Sequence, residues 1–168
     1  LREAVVTKLK RDNNLSYEPT QVVASTGAKQ SLANAILAIT DDGDEVIIPT
    51  PYWVTYSELV KIARGKVVEV RTSQQSGFKI SADQLSAAIT PKTKAFLFSS
   101  PCNPSGAVYS KEELTALAEV FRQHPDIFII SDEIYEYINY VGEHQSIAQF
   151  DDLKDRVIIV NGLSKGFA

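Results

Sequence analysis

Methionine is missing from all 168 residues, including position 1. Leu1 is therefore not expected to be a translation start, and the chain reads as part of a longer protein, open at both ends. One cysteine, Cys102, rules out an internal disulfide and points to a reducing, cytoplasmic setting. The only two histidines, His124 and His144, lie near neither Cys102 nor each other, so no metal-ligand spacing or local Cys–His pair can be drawn. Basic charge is also scarce: 17 lysines and arginines against 21 acidic residues leave a net charge of -4. The short runs Lys8–Arg11 and Lys92–Lys94 form no stripe that could follow a phosphate backbone, which argues against a nucleic-acid partner. No apolar run reaches transmembrane length and no signal-peptide pattern appears, so no membrane partner is expected. Neither GxGxxG nor GxxxxGK[ST] occurs, which removes the dinucleotide fingerprint and the Walker loop.

What remains is an ordinary globular composition with enough apolar side chain for a core. Residues 2–12 carry Val5, Val6 and Leu9 at helical spacing, with Asn13-Asn14 as a stop. The run "VVAST" at 22–26 reads as a strand, then Gly27 and a helix over 29–39 that ends at "DDGD". "EVIIP" reads as a strand, followed by a turn and a helix closed by Gly65; "KVVEV" is a third strand and "GFKI" at 77–80 a brief extended piece. Ser81 is placed to cap a helix. After the strand "KAFLFSS" and the loop "PCNPSG" comes a helix capped by Ser110 with Glu113 as its box partner. "IFIIS", a turn or short helix at "DEIYEYINY", and "RVIIVNG" complete the pass. Strands such as "FIIS" and "VIIV" do not alternate, as expected of strands buried on both faces. The fold class is therefore α/β, a mostly parallel sheet with helices on both faces. No linker divides the chain, so residues 1–168 are one unit.

In an open α/β sheet, ligands bind outside the carboxyl ends of the strands. The segments after the strands are rich in chemistry. Gly27-Ala28-Lys29 stands before a helix, where small residues let backbone amides approach an anion, although an ordinary tight turn fits equally. Lys29, unfavourable for the helix dipole, reads as an exposed solubilising side chain. Trp53, the only tryptophan, serves either as core filling or as a rigid face for a flat heterocycle; Tyr52 and Tyr56 read as core or interface rings. Asn103 sits between Pro101, Pro104 and Gly106, either as an Asx-turn or as a fixed amide donor. Asp132 ends an apolar strand, where an unpartnered carboxylate would be costly. It is either an N-cap or the partner of a protonated ring nitrogen. Glu133 reads as a solvent-side or supporting carboxylate, and Tyr135 as a hydroxyl near the same ring. Lys165 is either a surface charge, as most lysines in such a place are, or the amine that Schiff-base chemistry needs.

The motifs "STGAKQ", "PYW", "NPSG", "SDEIY" and "NGLSK", in that order, resemble the fold-type-I pyridoxal-phosphate aminotransferases, nearest to the bacterial aspartate aminotransferase branch. The resemblance covers nearly the whole chain. It implies the cofactor pyridoxal 5'-phosphate, with Gly27, Ala28 and Lys29 forming the phosphate-side turn and the first two giving the main-chain contacts. It implies that Trp53 stacks on the ring, Asn103 and Tyr135 bond the ring 3'-oxygen, Asp132 pairs with the ring nitrogen, and Lys165 forms the Schiff base and shuttles the proton. Lys165, Asp132 and Tyr135 would then be the catalytic set. Many relatives place a phosphate-binding serine three positions before the lysine; here Gly162 stands there and Ser164 adjoins Lys165.

The implied reaction moves an amino group between an L-amino acid, aspartate by default, and a 2-oxo acid such as 2-oxoglutarate, in a homodimer. On the same resemblance, residues 1–168 are a partial cofactor-binding large domain, without the N-terminal segment and the small domain. The arginines that hold the phosphate and the substrate carboxylate lie beyond residue 168, so the isolated chain is expected to transaminate poorly. Two alternatives stay open: another pyridoxal-phosphate reaction, such as C–S lysis or decarboxylation, and a non-catalytic regulatory domain of the same build.

Overall fold

The apolar runs form five strands. In the computed structural model, which describes residues 1–168, these are β1 Glu45–Thr50, β2 Lys66–Arg71, β3 Thr93–Ser99, β4 Phe128–Asp132 and β5 Val157–Val160. They make one sheet in the order β2-β1-β3-β4-β5, with every neighbouring pair parallel. The helices are α1 Arg2–Asn13, α2 Ala28–Ile39, α3 Thr55–Ile62, α4 Ala82–Ala88, α5 Lys111–Arg122 and the short α6 Leu163–Gly166. Ser81 and Ser110 cap α4 and α5, each accepting from a backbone N–H three residues on at 3.2 Å, in full capping boxes.

Successive side chains of a strand point to opposite faces, so each central strand feeds two cores. One face gathers Ile47, Phe96, Phe98 and Ile129 with Leu85, Leu114, Leu117 and Phe121 of α4 and α5. The other gathers Val46, Ile48, Ala95, Leu97 and Ile130 with Leu32 and Ile36 of α2 and Tyr56, Leu59 and Val60 of α3. The α/β sheet with helices on both faces is thus the observed architecture. Chain order runs outward from β1 to β2 and then returns past β1 to β3, β4 and β5. The sheet therefore has its topological switch point between β1 and β3, where the connections leave in opposite directions and open a crevice at the carboxyl end.

Three local expectations are corrected. Residues 22–26 form no strand: they are hydrogen-bonded to no neighbouring strand, and Val23 stays 78% exposed. Strand propensity measures fit to a pleated, half-buried surface, and this segment has no sheet beside it. Residues 77–80 are not a strand either. Gly77 and Phe78 both take left-handed φ values, 63° and 57°, which close a 3-10 turn at Gln74–Ser76 and break any extended run. The helix expected to close at Gly65 has its left-handed residue one position earlier, at Arg64 with φ 61°.

Gly65 has a different task. A Cβ there would stand 2.6 Å from Thr40 Cγ2 and 3.3 Å from the Asp44 carbonyl oxygen, so the absent side chain lets the start of β2 pass against the end of α2. Gly65→Ala is expected to destabilise the fold by about 1–3 kcal/mol through overpacking. Arg64→Gly should change it by less than about 1 kcal/mol, because relieved left-handed strain and added unfolded-state freedom oppose each other. Denaturant melts of the two variants check this; equal losses would mean that backbone conformation rather than close approach governs the turn.

Candidate active site

Asp132 is the last residue of β4. Register places it between Ser99 of β3 and Val160 of β5, and alternation from Ile130 turns its side chain to the α2–α3 face. It is 2% exposed. Tyr56, on the first turn of α3 and 1% exposed, donates its hydroxyl to Asp132 Oδ2 at 2.5 Å. The Ile134 N–H donates to Oδ1 at 3.2 Å. Burial pushes the carboxyl above its ordinary range; these two donors pull it back, and neighbouring Glu133 adds to the rise. The Tyr56 hydroxyl is also driven upward, by burial first and then by the Asp132 charge, so it stays a donor. Asp132 forms no ion pair. Two donors lower the cost of the buried charge, and a cation meeting the carboxylate would lower it further.

The same tyrosine touches the indole. Trp53, two residues before α3, and Tyr56 meet edge to face, centroids 5.8 Å apart at 83°. Lys29, exposed by area, places Nζ 5.0 Å from the centre of the Trp53 ring. Its role is thus not solubility alone: it joins the start of α2 to the indole through a cation–π contact. At that helix start Gly27 has φ 88° and gives its N–H to the Ser25 carbonyl at 2.9 Å, so the free N–H groups are those of Ala28 and Lys29, not of Gly27 and Ala28 as expected. An anion is the natural acceptor for such groups.

On the far side of the switch point, the loop after β3 carries Asn103, whose Nδ2 donates to the Tyr135 hydroxyl at 3.4 Å. Both side chains are half-buried. The pair can present an amide donor and a phenol donor to one acceptor. Lys165 lies in α6, just after β5, the strand beside β4. Its side chain is exposed and makes no hydrogen bond to the other residues of the site. The structure therefore links Gly27-Ala28-Lys29, Trp53 and Asp132 through Tyr56 and the Lys29 contact. It pairs Asn103 with Tyr135, and leaves Lys165 at the same sheet end with its amine uncommitted.

Two features escaped the sequence reading. Tyr56 is the core ring that the sequence suggests, and what escaped is its hydroxyl bond to Asp132; its three-residue spacing from Trp53 was the available signal. For Glu133 the supporting reading holds and the solvent-side one does not; its partners are what escaped. It is 2% exposed on the opposite face, where Ser131 and Ser146 donate at 2.9 and 2.7 Å and His144 Nε2 lies at 2.8 Å.

A flat, cationic heteroaromatic group with an anionic tail fits this donor set: amides at a helix start, an indole face, an amide and a phenol, and a buried carboxylate without a counter-ion. Such an arrangement at a switch point defines a cofactor-binding α/β domain. The family model "Aminotransferase class I and II" matches residues 1–168, and the chain belongs to that family. It is 52% identical over 98% of its length to the aspartate aminotransferase of Bacillus subtilis, covering 42% of that protein. It is 49% identical over its whole length to the aspartate/prephenate aminotransferase of Nitrosomonas europaea, covering 43%. The crystal structure of the Rhizobium meliloti aspartate aminotransferase superposes with a TM-score of 0.96 at 46% identity, over 98% of this chain and 42% of that one. The chain thus spans well under half the length of these relatives.

Asp132 also makes a stability prediction. Because its carboxyl is raised in the fold, ionisation costs stability as pH climbs through the folded value, and that cost is absent in acid. Asp132→Asn should therefore melt higher than the wild type at neutral pH without cofactor, with the gap closing as pH falls. A gap that does not vary with pH would rule out a buried, strained charge.

Proposed function

We propose that the protein carrying this chain transfers an amino group between an L-amino acid and a 2-oxo acid, with aspartate and 2-oxoglutarate as the working pair and pyridoxal 5'-phosphate as cofactor. The observation that carries the reading is Asp132, a buried carboxylate without a cation at the carboxyl end of the sheet. The proposed aspartate preference draws support from relatives named for aspartate. One relative is named for prephenate as well, which makes the acceptor the more open choice.

Each residue then has a defined task. The N–H groups of Ala28 and Lys29, at the turn made by Gly27, hold the phosphate. Trp53 covers one ring face and keeps water from it. Asn103 and Tyr135 donate to the ring oxygen. Asp132 holds a proton at the ring nitrogen, keeping that ring cationic. Lys165 Nζ provides the amine for attachment and the base that takes and returns the substrate α-proton. When bound, the cofactor supplies an aldehyde for Schiff-base exchange and a cationic ring that withdraws electrons from the α-carbon. Preorganised charge of this kind is usually the largest contribution to rate. The protein as a whole is proposed to act as a cytoplasmic homodimer.

The test is an absorbance titration of the protein with pyridoxal phosphate, beside Lys165→Ala. A visible Schiff-base band that the variant lacks is expected, followed by amino transfer from aspartate to 2-oxoglutarate in the full-length protein. A band of equal strength in both would remove Lys165 from its assigned role. Bound cofactor with elimination or decarboxylation products would replace the transfer reading with another reaction on the same site.

A further inference from the structure

We infer that Tyr56 is the positioning residue of this site, one side chain whose hydroxyl fixes the orientation and charge of Asp132 while its ring fixes the plane of Trp53. The inference rests on the reading that Asp132 faces a cationic ring. It adds a residue that no motif above assigned to the site.

The geometry carries it. Tyr56 and Asp132 are 76 residues apart in sequence, and both side chains are almost wholly buried. The 2.5 Å contact takes one direction on Oδ2, and the Ile134 N–H takes one on Oδ1. The carboxylate is thereby held from two sides and cannot swing about its last torsion without breaking one bond. The indole is held by the edge of the same phenol ring, at 5.8 Å and 83°. Tyr56 sits on α3, whose Leu59 and Val60 are buried in the core of that face, so its own position is set by packing. A group with rotamer freedom could not fix two neighbours at once; one locked in a core can.

The charged and titratable surroundings of Asp132 are few. Tyr56 faces it from α3, and Glu133 follows it in the chain, with His144 beyond on the opposite face. Cys102, from the loop after β3, acts on Tyr56. The flanking strand positions are Ser99 and Val160. No cation is among them, so the hydroxyl of Tyr56 is the stronger of the two donors that favour the ionised form of Asp132.

Tyr56→Phe isolates the hydroxyl, since the ring remains. Infrared difference spectra against Asp132→Asn, recorded on the protein without cofactor, follow protonation of that single carboxyl. The midpoint should move up by about one to two pH units, a ten- to hundredfold stronger hold on the proton, as expected when a charged acceptor loses a hydrogen bond. The affinity for pyridoxal phosphate should fall by a similar factor on the acid side and converge with the wild type at higher pH, where both carboxyls are ionised. Trp53, as the only tryptophan, reports packing: its emission should be unchanged in Tyr56→Phe. An unshifted midpoint overturns the inference. So does a shifted midpoint accompanied by altered Trp53 emission and a lost cooperative melt, which would make Tyr56 a packing residue only. If the wild type failed to bind pyridoxal phosphate, the proposed function would fall, while the carboxyl midpoint would still decide the role of Tyr56.

Discussion

The constraint on which the rest of the site depends is that a carboxylate is buried at the end of a central strand with hydrogen-bond donors but no cation. Burial in a medium of low polarity penalises the charged form, and two donors offset only part of that penalty. Such a residue is retained at a cost to the empty protein, which marks it as a functional-site candidate. Tyr56 joins that point to the indole of Trp53, Lys29 joins the indole to the start of α2, and Asn103 and Tyr135 form a separate amide–phenol pair after β3 and β4.

The turn after β4 shows how three carboxylates in five residues are treated differently by the same backbone. Alternation sends Asp132 to one face and Glu133 to the other. Glu133 is met by two hydroxyls and a histidine, which anchor the segment around residues 144–146. Burial pushes Glu136 up, but the Lys8 ammonium, Asn13 and Asn161 outweigh it and hold the carboxyl below its usual range. Those contacts tie the turn to α1 on one side and to the residue after β5 on the other. Glu133 and Glu136 thus fix the turn, and Asp132 and Tyr135 are presented by it. Rigidity behind the site and an unsatisfied charge within it are two parts of one arrangement.

Much of this was legible in the sequence. Four of the strands announce themselves as apolar runs, because strands buried on both faces need no alternation, and the rule that ligands bind at strand ends picked out segments that the fold places after β1, β3, β4 and β5. The failures are physical too. "VVAST" has the composition of a strand, but composition does not say whether another strand lies alongside. "GFKI" was broken by a left-handed phenylalanine, a conformation that side-chain identity does not announce. Tyr56 and Asp132 are joined across 76 residues, and no local pattern reports such a bond. The choice between the two readings of Glu133 could not be made from the sequence, because two of the groups that make its burial tolerable come from residues 144 and 146.

The position of α3 is what connects the two levels. Trp53 just precedes the helix and Tyr56 lies in its first turn, while Leu59 and Val60 one turn further on are buried in the same core as residues of β1 and β3. The helix is held by hydrophobic contact along its second half and delivers aromatic side chains from its first. A small rotation about its axis would carry the indole and the phenol together, altering ring coverage and the hold on Asp132 in the same movement. Core packing on this face and the electrostatics of the site are therefore coupled through a single short helix. Substitutions among Leu59, Val60 and the β1 residues they touch act on the site although none of them reaches it, because close-packed cores transmit displacement instead of absorbing it.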